Sequence, residues 1–189
     1  MKTFNSSGLM IQHLVITAIG SDRAGICNQV IQLVTQAGGN IIDSRIALFG
    51  NEFTLIMLVS GNTNSITRIE STLPLLGQQH DLITMMKRTS PHHQPHYAYS
   101  VEVYVESDDK LGLTEKFTHF FAERHIGMAS LSAQTIHKSK LSTEHDQFHI
   151  AITAQVNADY NLMQLQEEFA ALCHQLAVRG SLNFIKNSQ

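Results

Sequence analysis

Ile19-Gly20-Ser21-Asp22-Arg23-Ala24-Gly25-Ile26 (IGSDRAGI) closes one alternating apolar run and opens another with helical spacing. Before it, His13–Ile19 alternates β-forming residues; after it, Ile26, Val30, Leu33, Val34 and Ala37 share one helix face. So much polarity between two segments that both need burial admits three readings: a capped strand-to-helix turn, a phosphate loop, or the rim of a small-ligand site. The phosphate loop is excluded. The stretch holds neither G-x-x-x-x-G-K-[ST] nor G-x-G-x-x-G, and the parallel sheet that carries those motifs is missing from the pattern.

Working outward, Gly38-Gly39 stops the helix, and Ile41–Phe49 alternates again (Ile42, Ser44, Ile46 and Leu48 against Asp43, Arg45 and Ala47). Gly50-Asn51 makes a tight turn into Phe53–Val59, a hairpin partner. Thr63-Asn64-Ser65 supplies the cap of a second helix through Ile66, Ile69, Leu73 and Leu76, with Pro74 awkward near its end, and Leu82–Lys87 closes as a fourth strand. Thr89–His96 (TSPHHQPH) holds two prolines, three histidines and no apolar residue, the composition of a linker. The order then recurs: strand Tyr99–Val105, helix stripe Leu113, Phe117, Phe120, Phe121, strands Met128–Ile136 and Phe148–Val156 around a polar loop, helix Leu162–Leu176, and strand Ser181–Ile185. A shift of 87 residues lays Asp109 on Asp22, Lys110 on Arg23, Gly112 on Gly25 and Leu113 on Ile26.

Each copy therefore reads βαββαβ, and the fold class is α+β: two tandem ferredoxin-like domains, each with two helices on a four-stranded antiparallel sheet. The expected division is a disordered extension over residues 1–10, domains over 11–88 and 97–187, and a linker over 89–96. Of the 189 residues 43% are hydrophobic and 15% charged, an ordinary globular balance. The net charge of −3 argues against a chain that grips nucleic acid through phosphates. Residues 1–89 carry six Lys/Arg against five Asp/Glu, and residues 90–189 seven against eleven, so the second half is acidic. Cys27 and Cys173 read as buried reduced thiols rather than a disulfide framework. No apolar run is long enough for a membrane helix and the N-terminus is a poor signal peptide, so the expected address is cytoplasmic.

The chemistry of IGSDRAGI follows from its place at a helix start. Ser21 or Asp22 can accept the unpaired N–H groups of the first turn, and Gly25 permits close approach of another backbone or a ligand. The free helix end is a seat for a small anion such as the carboxylate of an amino acid, whose ammonium could take an oxygen from Asn40. A capped turn that binds nothing fits the same residues.

D-R-x-G-I at the first strand–helix junction (Asp22-Arg23-Ala24-Gly25-Ile26) and G-N-I at the helix–strand junction (Gly39-Asn40-Ile41), on a duplicated βαββαβ unit, resemble the ACT-domain family. The resemblance covers about residues 11–187 and implies an amino acid held between two domains. Its contacts would be Asp22, Arg23, Ala24, Gly25, Ile26, Asn40 and Ile41. The second-copy equivalents Asp109, Lys110, Gly112 and Leu113 form the weaker site, because Gly127 stands where the first copy has Asn40 and His125-Ile126 where it has Gly38-Gly39. Two ACT-like copies without an attached enzyme are similar to the ACT-type repressors of glycine cleavage operons. That likeness implies a non-catalytic negative regulator that contacts a LysR-type activator protein and responds to glycine. It calls for no cofactor, no metal, no membrane and no direct nucleic-acid contact, in keeping with the lack of a helix-turn-helix or basic patch. Open sheet edges could pair the copies or build a homodimer. An amino-acid-sensing regulatory subunit of a biosynthetic enzyme is the alternative, and a small hydrolase relying on Arg23 a more distant one.

Other constellations imitate chemistry. His145-Asp146-Gln147-Phe148-His149 has the spacing of a zinc-protease motif, but it leads into the alternating Ile150, Ile152 and Ala154. On a strand its histidines would stand about 13 Å apart, too far for one ion. His92, His93 and His96 sit in the linker without a Cys or carboxylate beside them, and Cys173-His174 point to different faces of a helix. The phenylalanine stripe reads as core.

Overall fold

A computed structural model describes residues 10–91, 95–108, 111–140 and 144–188. The expected extension over Met1–Leu9, the linker histidines His92 and His93, and the second-copy candidates Asp109 and Lys110 lie outside the described residues. The chain divides into two compact units, one through residue 93 and one from residue 94.

The first unit runs β1 (Ile11–Ser21), α1 (Ile26–Gln36), β2 (Asn40–Phe49), β3 (Glu52–Asn62), α2 (Thr63–His80) and β4 (Ile83–Thr89). The second repeats it as β5 (Tyr99–Ser107), α3 (Leu113–Glu123), β6 (Met128–Ile136), β7 (Gln147–Val156), α4 (Leu162–Gln175) and β8 (Arg179–Lys186). The sheets are ordered β2-β3-β1-β4 and β6-β7-β5-β8, antiparallel throughout. This is the duplicated βαββαβ architecture that the sequence pattern implies. Strand alternation sends Leu14, Ile16 and Ala18 of β1 and Phe53, Leu55, Met57 and Val59 of β3 to the helix side, where they close over Val30 and Val34 of α1 and Ile66, Ile69 and Leu73 of α2. In the second unit Phe117, Phe120 and Phe121 of α3 pack with Phe169 of α4 over Val101, Val103 and Val105.

Several local expectations are corrected. The cap of α2 is Asn62, whose side chain accepts the Ser65 N–H at 2.8 Å, so Thr63-Asn64-Ser65 is already helix. The helix α2 runs past Leu76 to His80 with Pro74 inside it, where the proline removes one backbone donor from an otherwise continuous helix. The alternation in β2 does not mark a half-buried strand. As an edge strand it keeps Ile42, Ile46, Leu48 and Phe49 exposed, with an irregularity in pairing between Ile41 and Asp43.

Cys173 is buried as expected and burial pushes its thiol up to about 11, but Cys27 is only half-buried. Its thiol is also raised, by burial and then by the Asp22 charge. Thiolate is the reactive form, so both cysteines of the folded chain should alkylate slowly at pH 8, Cys27 ahead of Cys173. Mass-spectrometric peptide mapping after brief iodoacetamide treatment checks the order, and prior labelling of Cys173 contradicts it.

Candidate functional site

The residues 22–26 make an exposed loop that ends in buried Ile26, the first residue of α1. Neither Ser21 nor Asp22 caps the helix, against expectation. Gly25 is the N-cap residue, with φ +86°, and no side chain accepts there; the Gly25 carbonyl takes the Gln29 N–H at 3.1 Å. A side chain added at Gly25 would meet nothing within 4 Å, so glycine is needed for the left-handed backbone and not for close packing within the chain. The space beside the Gly25 Cα is open. The second copy repeats this geometry 87 residues on: Gly112, φ +70°, precedes Leu113, and among the described residues no side chain caps it and nothing lies within 4 Å of an added Cβ.

The loop is braced on both flanks. Asp22 donates its N–H to the Asn51 carbonyl at 3.0 Å, tying it to the β2–β3 turn. The Arg23 guanidinium donates to the His80 carbonyl at 2.6 Å, setting a cation at the C-terminus of α2 where the helix dipole favours one. Neither tie is visible in local sequence, since Arg23 and His80 are 57 positions apart. Arg23 thus serves the fold, which weakens its claim to be a hydrolase side chain.

Asn40 and Ile41 stand elsewhere. Ser21 pairs with Glu52, whereas Asn40 pairs with Ser60, which in turn faces His13. Eight residues of strand, roughly 27 Å, separate the two levels of the sheet. The eleven-residue helix α1 runs between them, about 16 Å long. One copy therefore does not bring Asp22 and Asn40 to the same small ligand. The G-N-I junction has its own structural reason: Gly38 (φ +87°) and Gly39 close the helix, with the Gly38 N–H on Thr35 and the Gly39 N–H on Val34. A Cβ at Gly39 would come within 2.9 Å of Val34 and Val59 and 3.0 Å of Ile69. In the second copy, His125 takes the left-handed position (φ +54°) and Ile126 is buried in place of Gly39.

The zinc-like pattern resolves as strand. His149 lies in β7, its Nδ1 2.8 Å from the Tyr104 hydroxyl and its Nε2 3.2 Å from Gln147. Asp146 instead holds the preceding loop, accepting from the Lys138 N–H at 2.8 Å and lying 3.1 Å from His137; these bonds, the backbone one foremost, lower its carboxyl pKa. No helix among the described residues is long and apolar enough to cross a membrane.

The family model of the ACT domain matches residues 12–87. The glycine cleavage system transcriptional repressor of Escherichia coli (strain K12) is 44% identical over 182 residues, covering 96% of this chain and 95% of that protein. A crystal structure provisionally assigned to a repressor of the same name is 73% identical, covers 94% of this chain and 99% of its own, and superposes with a TM-score of 0.68. A protein of unknown function from Galdieria sulphuraria shares the fold at 22% identity, with a TM-score of 0.71 over 93% of this chain and 99% of its own. With two ACT-type units in series and this identity along nearly its whole length, the chain belongs to the family of glycine cleavage system transcriptional repressors.

Proposed function

We propose that the chain is a non-catalytic, cytoplasmic negative regulator of a glycine cleavage operon. It works through a LysR-type activator protein and is released by glycine. The observation that carries this reading is the 44% identity to a named repressor across 96% of the chain, over both ACT-type units. The modest net charge of −3 supports action through a partner's DNA contacts rather than its own.

The effector site we infer is composite. The loop Asp22, Arg23, Ala24, Gly25 and Ile26 of one ACT-type domain offers the open N-terminus of α1 to the amino-acid carboxylate. Asn40 and Ile41 of the first domain of a second copy of the chain meet the ammonium, because a single domain holds the two stretches at opposite ends of its sheet. Two second domains paired in the same way would set Gly127 opposite the Gly112–Leu113 helix start where the first domains set Asn40, so the second-copy site lacks the amide and binds more weakly. Residues 89–96 connect domains 11–88 and 97–187. Glycine shifts the protein between two arrangements only by its difference in affinity for them, typically about 1–3 kcal/mol.

Asp22→Ala and Asn40→Ala should each weaken glycine binding by about tenfold or more while leaving the far-UV circular dichroism melting curve within a few degrees of the parent. Operator DNA carrying the purified activator tests the whole reading. The parent protein should join that complex without glycine and leave it when glycine is added. Association with a biosynthetic enzyme in place of the activator would transfer the protein to the alternative class.

A further inference from the structure

The two sheets differ sharply on the face that no helix covers. Residues paired directly across antiparallel strands point to the same side, so the register lays out each open face in rows. On the second sheet the rows read Gln134-His149-Glu106-Arg179, Ser132-Ala151-Tyr104-Ser181 and Ser130-Thr153-Glu102-Asn183. That face is polar, with Tyr104 bonded to His149 and Arg179 paired with Glu106. The corresponding rows of the first sheet read Ala47-Thr54-Ile19-Ile83, Arg45-Ile56-Thr17-Met85 and Asp43-Leu58-Val15-Lys87. Here the centre is apolar, with Ile56 45%, Met85 63% and Ile83 68% exposed. A shallow depression lined by Val15, Asp43, Arg45, Ile56 and Leu58 lies within it.

We propose that this open face of the first sheet is a self-association surface, occupied by the same face of a second copy of the chain. The charges choose the occupant. The Asp43-Leu58-Val15-Lys87 row carries an acid at its β2 end, a base at its β4 end and two apolar residues between. A two-fold axis lying between stacked sheets and parallel to the strands sets β2 of one copy over β4 of the other at the same level. Asp43 of each copy then meets Lys87 of the other, and Leu58 and Val15 exchange places over an apolar centre. Arg45 remains on its own Asp43, 3.4 Å away. A two-fold axis across the strands would place Lys87 against an apolar row with no acid, so the strand-parallel axis is the one that satisfies every charge. Stacked sheets pack about 10 Å apart, within reach of these side chains. Four strands by three rows give roughly 400 Å² per copy, about 800 Å² in all, the size of a transient contact, so the dimer should be weak and concentration-dependent.

Sedimentation velocity over a concentration series tests the proposal with the full-length chain. The parent should shift from monomer to dimer, and Ile56→Glu, at an exposed position, should raise the dissociation constant by at least about tenfold. Asp43→Lys and Lys87→Asp should each weaken the dimer by setting like charges together, and the double variant Asp43→Lys/Lys87→Asp should restore it. Recovery in the double variant cannot come from misfolding. A parent that stays monomeric throughout, or a dimer indifferent to Ile56→Glu because it forms elsewhere (such as the β2 edge), overturns the proposal, as does a double variant no better than its parents.

Discussion

Phe117→Ala is expected to destabilise the second unit by about 3–5 kcal/mol, the range for removing a fully buried aromatic ring from a core that cannot collapse around the gap. Phe117 is completely buried, its ring centroid 5.7 Å from that of Phe169, which in turn meets Phe120 at 5.9 Å. The loss therefore falls on the contact between α3 and α4. All four tyrosines, Tyr97, Tyr99, Tyr104 and Tyr160, lie in the second unit, and the chain has no tryptophan. Tyrosine near-ultraviolet circular dichroism thus reports that unit alone. Its thermal transition should fall by more than about 10 °C in Phe117→Ala. An unchanged tyrosine transition would mean that the phenylalanine cluster is not the core of that unit.

The second large effect is expected at Gly39. Gly39→Val must push aside Val34 of α1, Val59 of β3 and Ile69 of α2, all within 3.0 Å of the new Cβ before its methyl groups are counted. Overpacking of this kind costs about 1–3 kcal/mol, or roughly 4–20 °C in the melting midpoint of a unit this size. Gly127 is the second-copy position aligned with Asn40 and has nothing within 4 Å of its added Cβ. Gly127→Val should therefore change the midpoint by no more than a few degrees. Far-UV circular dichroism melts of the two variants make the comparison. Equal behaviour would remove the packing explanation of the Gly38-Gly39-Asn40 junction and return it to ligand binding.

Much of the fold was readable because each helix and strand states its own period. Ile26, Val30 and Val34 are buried on α1 at the spacing their positions imply, and β1 and β3 bury every second residue. The duplication was readable too: Gly25 and Gly112, 87 residues apart, share a left-handed backbone at a helix start. What escaped was tertiary. Nothing in β2 itself says that it lies at a sheet edge, where Ile46 and Leu48 stay exposed. Local preference favoured Ser21 or Asp22 as the cap of α1, but the chain enters through Gly25 and spends the Asp22 N–H on Asn51 and the Arg23 guanidinium on His80.

The candidate site shows the same division between local and non-local information. D-R-x-G-I and G-N-I lie close in sequence, which suggests one pocket. The helix between them carries them apart, and its eleven residues were the signal that could have shown it. A ligand that needs both stretches needs two domains. The apolar open face of the first sheet likewise emerges only when four strands are placed in register, since Ile19, Ile56 and Met85 come from three separate segments.

The loop Asp22–Ile26 should admit an amino acid. Calorimetric titration of the purified protein with glycine, followed by the other amino acids, tests it most directly. Saturable heat is predicted for glycine, with the signal lost in Asp22→Ala although that variant melts like the parent. Absence of heat for every amino acid would mean that the loop binds none. IGSDRAGI would then be a glycine-started helix entry braced by Asn51 and His80, and any signal would enter through the protein partner.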